Sequence, residues 1–333
     1  MGNLLLAIKI VLKKVILKAL AIPVFKRWFG RVIKLYDRTQ IKKEREALAG
    51  KQAVRLNFSH YLPNTEARIE RLRRVINGRP VAIILHGSSV EELEKRITEL
   101  ADCDICYFGL NIFRVPENNI LQKIGRTYSV LMYGSFKSGG DSETGNVIDF
   151  LERQENNILI SERAGFHPLE VAGGFDLGQF IAKYDKKLLF ITGTPTVSIT
   201  LGSELLIRVP GIEYPLHFLR QGSFAILLSL AVIGQAPLVA IFGGDGGRIK
   251  GRELYFRETN SNLPESLSEQ TLTFDTKVFN LTMPIMLEKI CRIYNLRPID
   301  IVNCSVQSNY TPMRKLSYDD TFALLKSFKA RGR

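Results

Sequence analysis

Residues 221–247 constrain this chain most, because they join an all-apolar helix, a short strand and a glycine-rich turn with almost no linker between them. Residues 224–233 are apolar at every position but Ser229; Gly222 and Ser223 precede them, and Gly234 and Pro237 follow. A helix that is apolar all round has to be buried on every side. Leu238–Phe242 then reads as a central strand, and Gly243-Gly-Asp-Gly-Gly247 as the turn beyond its carboxyl end. Open α/β sheets bind ligands in the crevice beyond those ends. Glycines there let backbone N–H groups approach a ligand, so Gly244 and Asp245 are candidate contacts, Asp245 with one negative charge. The same residues also suit a tight turn whose Asp tolerates unusual dihedrals.

The rest of the body alternates strand and helix. Strands are expected at 81–85, 104–110, 129–133, 157–160, 188–192, 238–242 and 300–304, and helices at 64–77, 90–100, 146–154, 177–184, 276–295 and 318–328. Such alternation predicts an α/β, Rossmann-like, mainly parallel sheet with helices on both faces. Residues 79–330 form the domain, 46–78 a helical linker, and the polar, irregular stretch 248–275 a lid beside the glycine turn. Strand ends carry Asn111, Ser135, Thr192, Thr194, Ser305 and Ser308, which suit either a ligand crevice or ordinary turn chemistry. The first strand runs into His86-Gly87-Ser88-Ser89. Ser89 and Glu92 have the spacing of a capping box. Alternatively Gly87, Ser88 and the helix N-terminus hold a phosphate, with Glu91 and Glu92 competing for the same turn.

Charge is concentrated at the amino end. The chain of 333 residues has a net charge of +13, and residues 1–45 hold twelve Lys or Arg against Asp37 and Glu44, a net of +10. The body is left close to neutral, which argues against nucleic acid as its partner. Short apolar runs broken by Lys9, Lys13, Lys14 and Lys18, with Trp28 and Phe29 behind Pro23, make residues 1–45 a basic amphipathic anchor for an anionic membrane surface. No run reaches the roughly 20 uncharged residues of a spanning helix. Lysines interrupt any signal-peptide core, and Leu6 stands where a myristoylation signal has Ser or Thr. The segment therefore points to a peripheral enzyme on the cytoplasmic face of the inner membrane; the alternative is packing on the protein's own body or on a second subunit of a homo-oligomer. Cys103-x-x-Cys106, Cys291 and Cys304 read as buried structural thiols rather than a metal or redox site.

The order of strand, His86-Gly-Ser-Ser, then Asn111-Ile-Phe, then Gln221-Gly-Ser with its apolar helix, then Ile241-Phe-Gly-Gly-Asp resembles the bacterial sialyltransferases of glycosyltransferase family 42. It is similar as well to the Rossmann-like group that includes motility accessory factors and archaeal 6-hydroxymethylpterin diphosphokinases. The resemblance spans roughly residues 80–315. It implies that Gly87, Ser88 and Ser89 contact a CMP-sugar, with His86 where the family has Asn. It also implies that Asn111, Gln221 and Gly222 touch the nucleotide, that Ser308 lies near its phosphate, and that Tyr255 supports the departing CMP. The family's lid histidine is missing: no histidine follows His217, and the corresponding interval lands on Asp275. A carboxylate raised toward neutral pKa can serve as the base. Asp275 can equally cap the helix that begins at Thr276.

These readings predict a metal-independent, cofactor-free inverting glycosyltransferase that moves a sugar from a nucleotide donor to a glycan or lipid-linked acceptor. A Mg²⁺- and ATP-dependent diphosphokinase, with Asp245 as metal ligand, is the alternative enzyme. A scaffold with a degenerate nucleotide site is the non-catalytic one.

Overall fold

The structure, a computed structural model, describes residues 65–110, 119–133, 141–162, 176–194, 217–219 and 222–250, and most positions from 276 to 329. The amino-terminal anchor and nearly all of the 248–275 lid lie outside the described residues. The strands are β1 Val81–Ile84, β2 Cys106–Leu110, β3 Val130–Tyr133, β4 Ile158–Glu162, β5 Leu188–Thr194, β6 His217–Leu219, β7 Leu238–Phe242, β8 Asp300–Asn303 and β9 Arg314–Lys315. They form one nine-stranded sheet in the order β6-β5-β4-β3-β2-β1-β7-β8-β9. Every described pair is parallel. The helices are α1 Thr65–Ile76, α2 Val90–Arg96, α3 Asp141–Arg153, α4 Leu177–Tyr184, α5 Gly222–Ile233 and α6 Tyr318–Lys329. Described residues between 276 and 292 are also helical.

A parallel sheet is covered by its crossover helices, so its central strands are apolar without alternation. β1, β2 and β7 are buried at every residue. α6 lies beside α2 and its 3₁₀ turn, whereas α5 packs on α1 and, through Phe224, on Phe279. The result is the expected Rossmann-like α/β architecture.

The all-apolar helix is buried as its composition requires. Residues 224–233 of α5 are all buried, and its one polar side chain there, Ser229, donates to the Ala225 carbonyl at 2.6 Å. α5 packs on β1 and on α1. Although 46–78 has the composition of a linker, α1 buries Ile69, Leu72, Val75 and Ile76 in the same core as the strands. At the end of α5, a methyl on Gly234 would overlap the Ile76 side chain and lie 3.3 Å from Leu72, so glycine permits this close approach of α1.

Several elements differ from expectation for identifiable reasons. β6 and β9, of three and two residues, are too short for a periodicity to register. α3 starts five residues before the expected 146, because its first turn is wholly polar. α2 ends at Arg96 and tightens into a 3₁₀ turn over Ile97–Leu100. The cysteines are all free; Cys103, Cys106 and Cys304 are buried. Burial pushes the Cys106 thiol up to about 11 and that of Cys304 to about 12, so neither is a thiolate near neutrality.

Leu227 is fully buried and sits two residues from Ser229. Leu227→Ala is expected to cost about 2–5 kcal/mol in urea unfolding. Ser229→Ala, which removes the hydroxyl together with its bond to the Ala225 carbonyl, should stay within about 1 kcal/mol.

Candidate functional site

β1 has β2 on one side and β7 on the other, although the chain visits five further strands between β1 and β7. This is where the strand order reverses, and in open α/β sheets the ligand crevice opens at such a point. The two loops leaving β1 and β7 are the two glycine turns picked out in the sequence.

The turns are laced together. Leu85 N donates to Phe242 O at 2.8 Å and Gly87 N to Gly243 O at 3.0 Å, continuing the strand pairing beyond both strands. A methyl on Gly87 would overlap Gly243 O and stand 2.6 Å from Asp245 Oδ2. Gly243 adopts φ +68°, which glycine takes without strain, and a methyl there would lie 2.6 Å from Leu85 O. Gly87 thus lets one turn pack against the other. Close approach of a ligand is not needed to explain it.

Asp245 closes the junction. It is 2 % exposed, and its Oδ2 accepts from Ser89 N at 2.9 Å while its Oδ1 accepts from Ser89 Oγ. Tyr318 Oη donates to the Ser89 carbonyl at 2.7 Å, which ties α6 to the same residue. The Ser89–Glu92 capping box does not form: the Ser89 side chain makes no cap bond to α2. A buried carboxylate needs donors, and the Ser89 hydroxyl and amide supply them from across the crevice.

The loop after β8 is fastened to the same turn. Gly244 O accepts from Asn303 Nδ2 at 2.8 Å and from Ser308 Oγ at 2.5 Å. Ser308 Oγ also accepts from Asn303 Nδ2 at 3.1 Å and from Tyr310 N at 3.0 Å. Asn309 N donates to Asp245 O at 2.8 Å. Ser308 is 4 % exposed; its one proton goes to the β7 turn and both acceptor positions are taken by Asn303 and Tyr310. Lys315 Nζ donates to the Ser308 carbonyl.

Aromatic contacts join the first turn of α5 to this assembly. Phe224 stacks on Phe279 with centroids 4.8 Å apart and meets Tyr310 at 5.0 Å. The missing side chain of Gly246, at φ +67°, leaves room for Thr276 and the Tyr310 ring. Gly222 therefore begins a helix whose neighbours are the residues around the glycine turn.

Of the residues the sequence singled out, Gly87, Ser88, Ser89, Gly244, Asp245 and Ser308 come together here, and Gly222 heads the adjoining helix. Asn111, Ser135, Gln221, Tyr255 and Asp275 lie outside the described residues. Asn303, Tyr310 and Tyr318 were not foreseen. Their contacts link residues far apart in the chain, and no local spacing signals them. Among the described residues no helix is long and apolar enough to cross a membrane. No family model matches the chain, and neither a curated protein nor a solved structure does.

Burial lowers the His86 pKa to about 4, against the opposing pull of Asp245. A histidine held neutral in the folded state contributes stability above its unfolded pKa of about 6.5 and loses it as pH falls toward about 4. Urea midpoints should therefore drop over that interval, and His86→Asn should flatten the drop. Gly87→Ala forces backbone against backbone, so a loss of about 1–3 kcal/mol is expected in the same assay.

Proposed function

We propose that the protein is a nucleotide-sugar-dependent inverting glycosyltransferase, with a CMP-activated donor and a glycan or lipid-linked acceptor. The observation that carries this reading is the meeting of both glycine turns and the β8 loop at the switch point of a parallel sheet. Nucleotides bind doubly wound folds at that position. Two of the segments that carry the resemblance to family 42 sialyltransferases, His86-Gly-Ser-Ser and Ile241-Phe-Gly-Gly-Asp, lie in these turns. Asp245 bears on the diphosphokinase alternative: both of its oxygens accept bonds from Ser89. That weighs against its serving as a Mg²⁺ ligand.

In the proposed reaction an acceptor hydroxyl oxygen attacks the anomeric carbon of the donor as the bond to the CMP phosphate breaks. Asp275 takes the hydroxyl proton, and the electron pair leaves with the phosphate, supported by Tyr255. Gly87, Ser88, Asn111 and Gly222 hold the nucleotide. The roles of Asp275, Tyr255 and Asn111 rest on the sequence resemblance alone. The basic segment 1–45 would keep the enzyme on the cytoplasmic membrane surface, where a lipid-linked acceptor arrives by diffusion in two dimensions.

Thermal shift of the full chain with CMP, UDP, GDP and ATP, each with and without Mg²⁺, tests the reading. CMP at 100 times its dissociation constant should add about 2.7 kcal/mol of stability with or without the metal. Asp275→Asn should retain that shift and lower turnover by roughly 10²–10⁴-fold. A shift confined to ATP with Mg²⁺ would overturn the proposal in favour of phosphoryl transfer.

A further inference from the structure

Three hydroxyls around the glycine turn have no hydrogen-bond partner. Ser88 Oγ, Thr276 Oγ1 and Ser305 Oγ are sealed from solvent, on residues 1 %, 2 % and 3 % exposed. Buried hydroxyls are ordinarily paired, because each has lost its water. These three come from separate parts of the chain, each on a residue beside the glycine turn or beside a group bonded to it. Ser88 lies between Gly87 and Ser89, which bond Gly243 and Asp245 respectively. Thr276 Oγ1 is 3.2 Å from where a Gly246 side chain would begin. Ser305 N is bonded to the side chain of Asn303, which itself holds Gly244.

Three carbonyls of the turn already accept bonds from other groups. Gly243 O accepts from Gly87 N, Gly244 O from Asn303 and Ser308, and Asp245 O from Asn309 N. We propose that Ser88, Thr276 and Ser305 form a hydroxyl triad that binds the hydroxyl-bearing face of a sugar ring, either the ribose or the transferred sugar of the donor. This inference rests on the nucleotide-sugar reading above and adds Thr276 and Ser305 to the site.

The chemistry favours ligand hydroxyls over a phosphate at this spot. A serine or threonine hydroxyl donates one bond and accepts others, as sugar hydroxyls do. The buried fixed charge at the turn is the Asp245 carboxylate, and the neighbouring imidazole of His86 stays neutral above about pH 4. The ammonium of Lys315 is tied to the Ser308 carbonyl on an exposed residue, where solvent screens it. A phosphate would meet an unscreened negative charge, whereas neutral hydroxyls would not.

The test measures binding to the intact chain and to Thr276→Val and Ser305→Ala by titration calorimetry. The probes are CMP, 2′,3′-dideoxy-CMP, CMP-sialic acid, UDP-glucose and GDP-mannose. Each variant is expected to weaken donor binding about tenfold or more while its ligand-free Tm holds or rises, since an unpaired buried hydroxyl has been removed. If dideoxy-CMP binds weakly and is indifferent to the variants, the triad holds the ribose. If CMP is unaffected and CMP-sialic acid is weakened, it holds the transferred sugar. Variant-sensitive binding of UDP-glucose or GDP-mannose, with CMP inert, would uphold the triad and overturn the CMP donor. CMP binding that neither variant alters, with CMP-sialic acid equally unaffected, would overturn the triad and leave the donor reading standing. A fall in ligand-free Tm in both variants would show the hydroxyls already paired and also overturn it. Absence of binding by all five probes would overturn both.

Discussion

A buried carboxylate bridging two loops is the interaction on which the rest of this site depends. Asp245 leaves the end of β7 and takes both the amide and the hydroxyl of Ser89, at the end of β1. Its low exposure makes the pairing obligatory, because an uncompensated buried charge costs several kcal/mol. Since Ser89 also receives Tyr318 through its carbonyl, one residue ties the turn, α2 and α6 together. The α2–α6 side of this arrangement is reinforced at the surface by Arg96 with Asp319 and Lys326 with Glu99. Those exposed pairs add little individually.

The junction explains why glycines crowd here. Gly87 and Gly243 face each other's backbone, and Gly246 faces Thr276 and Tyr310. A side chain at any of them would push apart the loops that define the crevice. Glycine-rich turns at strand ends are usually read as cradles for a ligand. Here their first physical task is to let three loops touch, and the crevice is what remains between them. The unpaired hydroxyls of Ser88, Thr276 and Ser305 stand out beside Ser89, Asn303 and Ser308, whose side chains are all bonded within the junction.

Much of the fold was legible in the sequence. The apolar run 224–233 read as an interior helix, 238–242 suited a central strand, and the alternation of strands with helices pointed to a mainly parallel sheet. The positions of Gly87, Ser88, Gly244 and Asp245 beyond strand ends followed from the same pattern. What the pattern misread was local: Ser89 and Glu92 have capping-box spacing, yet the hydroxyl turned to a carboxylate 156 residues away. A buried anion is a stronger partner for a hydroxyl than a backbone amide of its own helix. Ser308 likewise suited either a ligand crevice or ordinary turn chemistry, and its hydroxyl is engaged by Gly244 of the β7 turn and by Tyr310.

The sequence by itself determined the class of fold, the interior helix and which strand ends carry polar turns, because periodicity and composition are local properties of the chain. It did not determine that β7 would lie beside β1, since strand order depends on where each crossover returns, and nothing local encodes that return. That placement decided everything at the site. It set Asp245 against Ser89, stacked the β8 loop on Gly244, and gathered three hydroxyls from distant segments around one turn.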